Sequence, residues 1–378
     1  MQDCARCRVS ADADVGVVGA GVVGLSTAFA LTEQGATVTV YERGVPGNAQ
    51  SGGESRIFRH AHDDRRLVEF AREARRAWRE WEERFGQELL SRDGVVALGA
   101  AEMRHLEAML VAGVRAHRIE GPELAERLPL LAPWHETAVL DEDGGVIRVR
   151  ATIEALTDEL RKRFVFDEVL SVRPTEAGTV EVRAGGTTAE HDRVIVCAGQ
   201  GTAALARGAG MPLPLRHAAH VRLTYALRDE PPERLACLLD SSGAFGEDGG
   251  YGDPLPGNGA FAVGLDETPL HEDGSMIDTG GLAALAERTT AYVGRALPGL
   301  HPDPVDVRHC WVTQLPWSPD GFAVWALGGL LVFAGNNLFK HAPALGRELA
   351  RAALGEGVAP SLHPEARLGA ELFETTRP

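Results

Sequence analysis

Apolar and polar positions along this chain fall into readable periods. Residues 14–42, "DVGVVGAGVVGLSTAFALTEQGATVTVYE", open with a short apolar run, Val15 to Val18, that predicts a buried strand. The run ends in Gly19-x-Gly21-x-x-Gly24. A helix follows, with Leu25, Phe29 and Leu31 largely on one side and Gly35 as its stop. A second strand, Thr37 to Tyr41, ends in Glu42. Residues 65–85 set Leu67, Phe70, Ala74, Trp78, Trp81 and Phe85 along one face, which predicts an amphipathic helix whose Trp pair belongs to the core. Residues 121–133 predict a short helix broken by proline. Apolar runs at 194–197 and 330–337 predict two more strands, each running out into glycine. The charge-free stretch 321–339 is divided by Gly328-Gly329 into halves of strand length, so it predicts two buried strands and a turn rather than a membrane span. From Leu235 to Gly280 the chain is rich in Gly, Asp and Pro with short strands, the mark of a second, β-rich domain.

Composition narrows the picture. A length of 378 residues fits two domains. The formal net charge of −16 argues against nucleic acid or an anionic membrane as a partner, since both would be repelled. No apolar segment of signal-peptide type precedes Val15, and five cysteines spread along the chain are unlike a disulfide framework. A cytoplasmic location is the expectation. Cys4 and Cys7 form a C-x-x-C with no second pair at zinc spacing, so a frayed tail and no metal site are expected. Of 38 basic residues, all but Lys162 and Lys340 are arginine, which singles out Lys340 in "VFAGNNLFKHAP".

The glycine pattern carries chemistry because of its setting. Gly19, Gly21 and Gly24 permit the turn, the approach of a pyrophosphate to a helix N-terminus, and tight helix–sheet packing. Glu42, 23 residues after Gly19, can accept hydrogen bonds from ribose hydroxyls and would repel a 2′-phosphate. Strand-to-glycine exits at Gly199 and Gly335 spread the pattern over the whole chain, which points to FAD in an interrupted domain rather than NAD in a contiguous one. The predicted fold class is α/β: a discontinuous Rossmann-like FAD-binding domain (9–88, 140–215 and 306–378) and a second, α+β substrate domain on a mostly antiparallel sheet (89–139 and 216–305), with 1–8 a flexible tail.

With the fingerprint, "SGGESRIFRHAH" (51–62), "VIVCAG" and "LPGL…CWVTQLPWSPDGF…VFAGNNLFK" in this order, the chain resembles the FAD-dependent amine oxidases of the D-amino-acid oxidase superfamily, in particular the sarcosine oxidase branch. The resemblance implies that Arg56 lies against the flavin ring and that Arg59 grips a substrate carboxylate. It implies that Cys310, in "C-x-x-T" ahead of Pro319-Asp320, carries the flavin through an 8α thioether, which requires a reactive thiolate. On residue type alone Cys310 is a small core hydrophobe beside Trp311 and Val312; the flanking pattern reverses that reading. Lys340 would hold the carboxylate with the loop arginine, while the segment Gly335, Asn336, Asn337, Leu338, Phe339 and Lys340 runs along the flavin edge. Arg43, Ser55, Ile57, Val169 and Gly199 complete the implied cofactor contacts, and Tyr251 matches an active-site tyrosine.

Two departures stand out. "GNNLFK" is about two residues shorter than the family loop and lacks its second glycine. The family's lysine over the flavin face falls on Ala262, and a histidine that usually follows becomes Asp266. The expected reaction is hydride removal from the carbon beside an amine, on a small amine bearing a carboxylate, with O2 or another electron acceptor. A dehydrogenase subunit with a non-oxygen acceptor, a flavin monooxygenase and a non-catalytic flavin-binding protein are the alternatives.

Overall fold

The strand Asp14–Val18 lies at the centre of a six-stranded sheet, flanked by Thr37–Tyr41 on one side and Arg193–Val196 on the other, both parallel to it. Phe164–Val165 extends one edge; Leu330–Gly335 and its antiparallel hairpin partner Phe322–Leu327 extend the other. Val15, Val17, Val194, Ile195, Val196 and Val332 are buried, as strands covered on both faces require. In this computed structural model residues 13–271, 275 and 280–370 are described. The expected tail 1–8, with Cys4 and Cys7, lies outside them.

By internal contacts the described residues divide into two units: those within 13–52, 153–215 and 313–368 form the first, and those within 53–152, 216–312 and 369–370 the second. The segment 53–88, placed by sequence with the nucleotide-binding part, lies in the second unit. Its strand Ser55–Phe58 pairs with Gly145–Arg148 and packs on Gly250–Pro254, both members of that unit.

In the first unit the helix Val22–Glu33 is buried on all sides, from Val22 to Leu31, rather than along one stripe. It lies against the helix Ala342–Arg351, where a Cβ on Gly346 would come 2.6 Å from the Ser26 backbone. A helix enclosed in this way carries no polar face. A three-stranded antiparallel sheet, Thr187–His191, Val180–Ala184 and Val169–Pro174, adds Val172, Val180 and Val182 to the core around Val194 and Leu330.

The second unit is built on a mostly antiparallel sheet in which Arg216–Ala226 pairs with Ala260–Gly264, and that strand with Gly250–Pro254. Period 2 divides its residues cleanly. Val221, Leu223, Tyr225, Phe261 and Val263 enter a core with Leu285, Tyr292 and Val293 of the helix Gly281–Ala296. His220, Arg222, Thr224, Ala262, Gly264, Tyr251 and Asp253 are thereby turned to the opposite face. The helix Arg65–Phe85 forms as its pattern predicts, capped by the Asp64 carboxylate on Arg66 N and stopped by a left-handed Gly86. Trp78 and Trp81 meet edge to face at 5.3 Å and are buried.

Candidate active site

In the first unit, three glycines shape the turn after the first strand, each for a steric reason. Gly19 has φ +98°, and a Cβ there would lie 2.6 Å from the Cys197 carbonyl oxygen. Gly21 caps the helix Val22–Glu33. A Cβ on Gly24 would lie 1.9 Å from Gly19 O, so the helix could not start this close to the strand. The Glu42 carboxylate is held beside this turn, accepting from Ala20 N and Gly44 N, each at 2.8 Å. Ser51 Oγ accepts from Val22 N at 2.9 Å. Gly199, at φ +55°, closes against Gln50: a Cβ would meet Gln50 Oε1 at 2.3 Å. Val169 is half-buried at the start of its strand. Arg43 lies at the surface in an exposed pair with Glu168, at 3.1 Å, of little energetic weight.

The third glycine exit leads to Lys340. Gly335 must be glycine, because a Cβ would come 2.3 Å from the Phe322 Cβ. Asn337 takes a left-handed conformation, φ +53°, and its amide donates to Asp320. Asn336 is buried, and its Nδ2 makes no hydrogen bond among the described residues. Leu338 precedes the single turn Phe339–His341, in which Lys340 is buried with its Nζ 3.0 Å from Asn337 O. Glycines at the strand exits, a helix N-terminus, a carboxylate beside it and an orphaned buried amide form a donor set that fits FAD.

The second unit gathers charge on one sheet face. Register places Arg222 opposite Gly264 and Gly264 opposite Tyr251; Thr224, Ala262 and Asp253 form the next row. Arg222 is buried. Its Nη2 donates to both oxygens of Asp253, at 2.5 and 2.7 Å, and its Nη1 to Ser55 O at 3.0 Å. Arg56 Nη1 donates to the same carbonyl at 2.8 Å, and Ser55 Oγ donates to Asp253 Oδ1 at 2.7 Å. Two guanidinium groups therefore share one backbone oxygen. Burial and the Arg222 charge bring Arg56 down to about 10, still protonated at neutral pH. Ile57 follows on the same strand, opposite Val146. Arg59 is half-buried and donates to Ala61 O; its charge is one of those that hold the Asp63 carboxyl low.

Cys310 joins this face through the strand Asp306–Gln314, which pairs with Arg216–Ala226. It is half-buried. Burial pushes its thiol up, but a hydrogen bond with His220 and the charges of His220, Arg56 and Arg222 outweigh that and bring it down to about 7. Burial holds the Tyr251 phenol above its ordinary range; its ring meets His220 edge to face at 6.1 Å. Gly264 makes room for that ring, since a Cβ would lie 2.4 Å from the Tyr251 hydroxyl. Ala262 is buried, and Asp266 is exposed beside Arg288 at 3.3 Å.

The second unit thus brings together Ser55, Arg56, Tyr251 and Cys310. The first brings together Gly19, Gly21, Gly24 and Glu42 at one turn, and Gly335 to Lys340 at another. Sequence reasoning missed His220, Arg222, Asp253 and Glu267. One signal was available: in "RHAAHVRLTYA" period 2 puts His220 and Arg222 on one face and Val221, Leu223 and Tyr225 on the other. A charge on a strand otherwise this apolar requires a partner.

A largely parallel sheet whose strands run out into glycine, with a carboxylate held beside the first turn, is the layout of a dinucleotide-binding fold, and the second unit carries a buried charged sheet face. The profile of the DAO family, FAD dependent oxidoreductase, matches residues 14–352, and the chain belongs to that family. It is an FAD-dependent oxidoreductase. Comparison with curated protein sequences gives no significant match. Among solved structures the fold is shared with NikD, an unusual amino acid oxidase essential for nikkomycin biosynthesis, at 23% identity over 97% of this chain and 100% of that one, TM-score 0.79. It is shared also with L-proline dehydrogenase from P. horikoshii, at 17% identity over 92% and 95%, TM-score 0.78. Glycine oxidase from Geobacillus kaustophilus is similar at 19% identity over 97% and 100%, TM-score 0.74. No helix among the described residues is long and apolar enough to cross a membrane.

Proposed function

We propose that this chain oxidises the C–N bond of a small amine bearing a carboxylate: an amino acid, an N-alkyl amino acid or a cyclic imino acid. The observation that carries the reading is a pair of guanidinium groups sharing Ser55 O, Arg222 on the sheet that also carries Tyr251 and Cys310 and Arg56 on the strand packed against it, in a member of an FAD-dependent oxidoreductase family. Solved structures of the same fold include an amino acid oxidase, a proline dehydrogenase and a glycine oxidase, which supports the substrate class.

FAD, when bound, supplies the two-electron acceptor for a hydride from the substrate carbon. The fingerprint glycines and Glu42 would hold its dinucleotide part, and Cys310 would be its attachment point. Arg59 is the cation for the substrate carboxylate, which desolvated alone would cost several kcal/mol. Arg56 and Tyr251 position the reacting carbon, and orientation of this kind can contribute several kcal/mol of a barrier. Lys340 would supply a positive charge to the bound cofactor, offsetting the negative charge it gains from the hydride. The substrate nitrogen must be neutral to release the hydride, so the rate rises with pH.

A non-oxygen acceptor is the second reading, favoured by one observation: the strand Ala260–Gly264 carries no cation, with Ala262 where the family has lysine. The test is an aerobic screen of amino acids, each beside its amide, that measures peroxide, imine-derived product and nicotinamide consumption. The proposal expects product from the acids alone, with no nicotinamide consumed. Peroxide in step with product favours O2, and product only with an added dye favours another acceptor. Turnover that consumes reduced nicotinamide contradicts the proposal.

A further inference from the structure

His220 and Glu267 lie close together. Ala218 pairs with Pro269 and Ala219 with Thr268, and Glu267 directly precedes that short strand. His220 Nδ1 lies 3.8 Å from Glu267 Oε1, at ion-pair range. The other strand beside Arg216–Ala226 is Asp306–Gln314, which carries Cys310, and the Cys310 thiol and the His220 imidazole interact electrostatically. A thiol and an imidazole on two adjacent strands thus lie next to a carboxylate at the start of a third. This is the arrangement that activates a sulfur nucleophile by an oriented base.

We propose that His220, oriented by Glu267, takes the Cys310 proton and keeps its positive charge beside the sulfur, so that Cys310 stands as a thiolate ready for attachment of the cofactor. The inference rests on the covalent assignment of Cys310 made above and gives that step its base. In the attachment, one proton would pass from the 8α-methyl carbon to solvent water and the thiolate would supply the electron pair of the new C–S bond. The two electrons left on the cofactor pass to O2 or another two-electron acceptor. His220 and Glu267 are positioning residues in this scheme, since both would act through the sulfur.

The charges facing Cys310 agree with this role. Arg222 on the same strand as His220, and Arg56 on Ser55–Phe58, favour the thiolate; Asp253 and Tyr251 on Gly250–Pro254 face the same cluster. The His220 imidazole is held above its ordinary value, burial being outweighed by Cys310 and Glu267. Cys197 and Cys237 show the contrast: both are buried, and burial alone pushes Cys197 up to about 12.

The test uses the full chain, prepared without flavin from a riboflavin-starved host, alkylated with iodoacetamide across a pH series and read peptide by peptide. The wild-type Cys310 peptide should react with an inflection near pH 7. His220→Asn should slow it about tenfold at pH 7 and move the inflection toward or above that of an ordinary thiol. Glu267→Gln should give a smaller change in the same direction. Covalent uptake of added FAD, read as a mass shift of the same peptide, should slow in parallel. An inflection in the ordinary thiol range in the wild-type chain overturns the proposal without any variant, as does an unchanged profile in a folded His220→Asn chain. A Cys310 that titrates near pH 7 through His220 but takes up no FAD keeps the dyad and removes the covalent assignment.

Discussion

Arg222 and Asp253 form a buried ion pair in which one guanidinium nitrogen reaches both carboxylate oxygens, at 2.5 and 2.7 Å. Their side chains are 7% and 1% exposed, so neither charge can turn to water when the other is removed. Asp253→Ala should therefore destabilise the protein by on the order of 3–5 kcal/mol. The companion Arg222→Met, Asp253→Leu double variant should recover much of that loss, because two buried charges leave together. Urea unfolding of the three proteins checks this. A double variant no more stable than Asp253→Ala would show that the pair has another structural role.

The fingerprint turn allows a sharper prediction. Gly24→Ala would put a methyl 1.9 Å from Gly19 O, a backbone atom that cannot move aside without opening the turn. The purified variant should lose most of its FAD, read as flavin absorbance per protein, while keeping the secondary structure of the second unit. A Cβ on Gly21 meets only Ser51 Oγ, at 3.2 Å, so Gly21→Ala should fold normally and lose FAD through crowding of the ligand alone.

Much of this framework was legible in the sequence because its determinants are local. The strand ending at Val18, the helix Arg65–Phe85 and the hairpin around Gly328 follow from period and from glycine placement within a few residues. Gly19, Gly24 and Gly335 were legible for the same reason. The His220, Arg222, Asp253 and Glu267 cluster was not. Asp253 reaches Arg222 through pairings among three strands spread over residues 216–264, and nothing local fixes which strands become neighbours. The helix Val22–Glu33 reads as one-sided because Ser26 and Thr27 are polar. Both turn their hydroxyls onto Val23 O, at 2.9 and 2.7 Å, and so lie buried among apolar neighbours.

His105 gives the protein a pH-dependent element away from the charged sheet face. Burial lowers its pKa, but its hydrogen bonds to Asp63 and Glu102, at 2.7 and 3.0 Å, raise it to about 9. A folded-state value above the unfolded one contributes stability that is fully present below about pH 6.5 and is lost as pH rises through about 9. His105→Gln should therefore lower Tm clearly at pH 6 and little at pH 10. Equal losses at both pH values would contradict the assignment.

Cofactor attachment has a direct chemical readout. Acid precipitation of the purified protein should leave the yellow colour in the pellet, with the flavin on the peptide containing Cys310. Cys310→Ser should release it to the supernatant while the chain still binds FAD. Wild-type protein that releases its flavin would remove the thioether and leave the fold and the cofactor in place.

The claim that this flavoenzyme oxidises carboxylate-bearing amines is tested most directly without oxygen. The flavin absorbance of the holoenzyme should bleach on anaerobic addition of an amino or imino acid, and the methyl ester of the same compound should bleach it far more slowly. Arg59→Met should abolish that preference for the acid. Bleaching by reduced nicotinamide, with none by any amino or imino acid, would contradict the account.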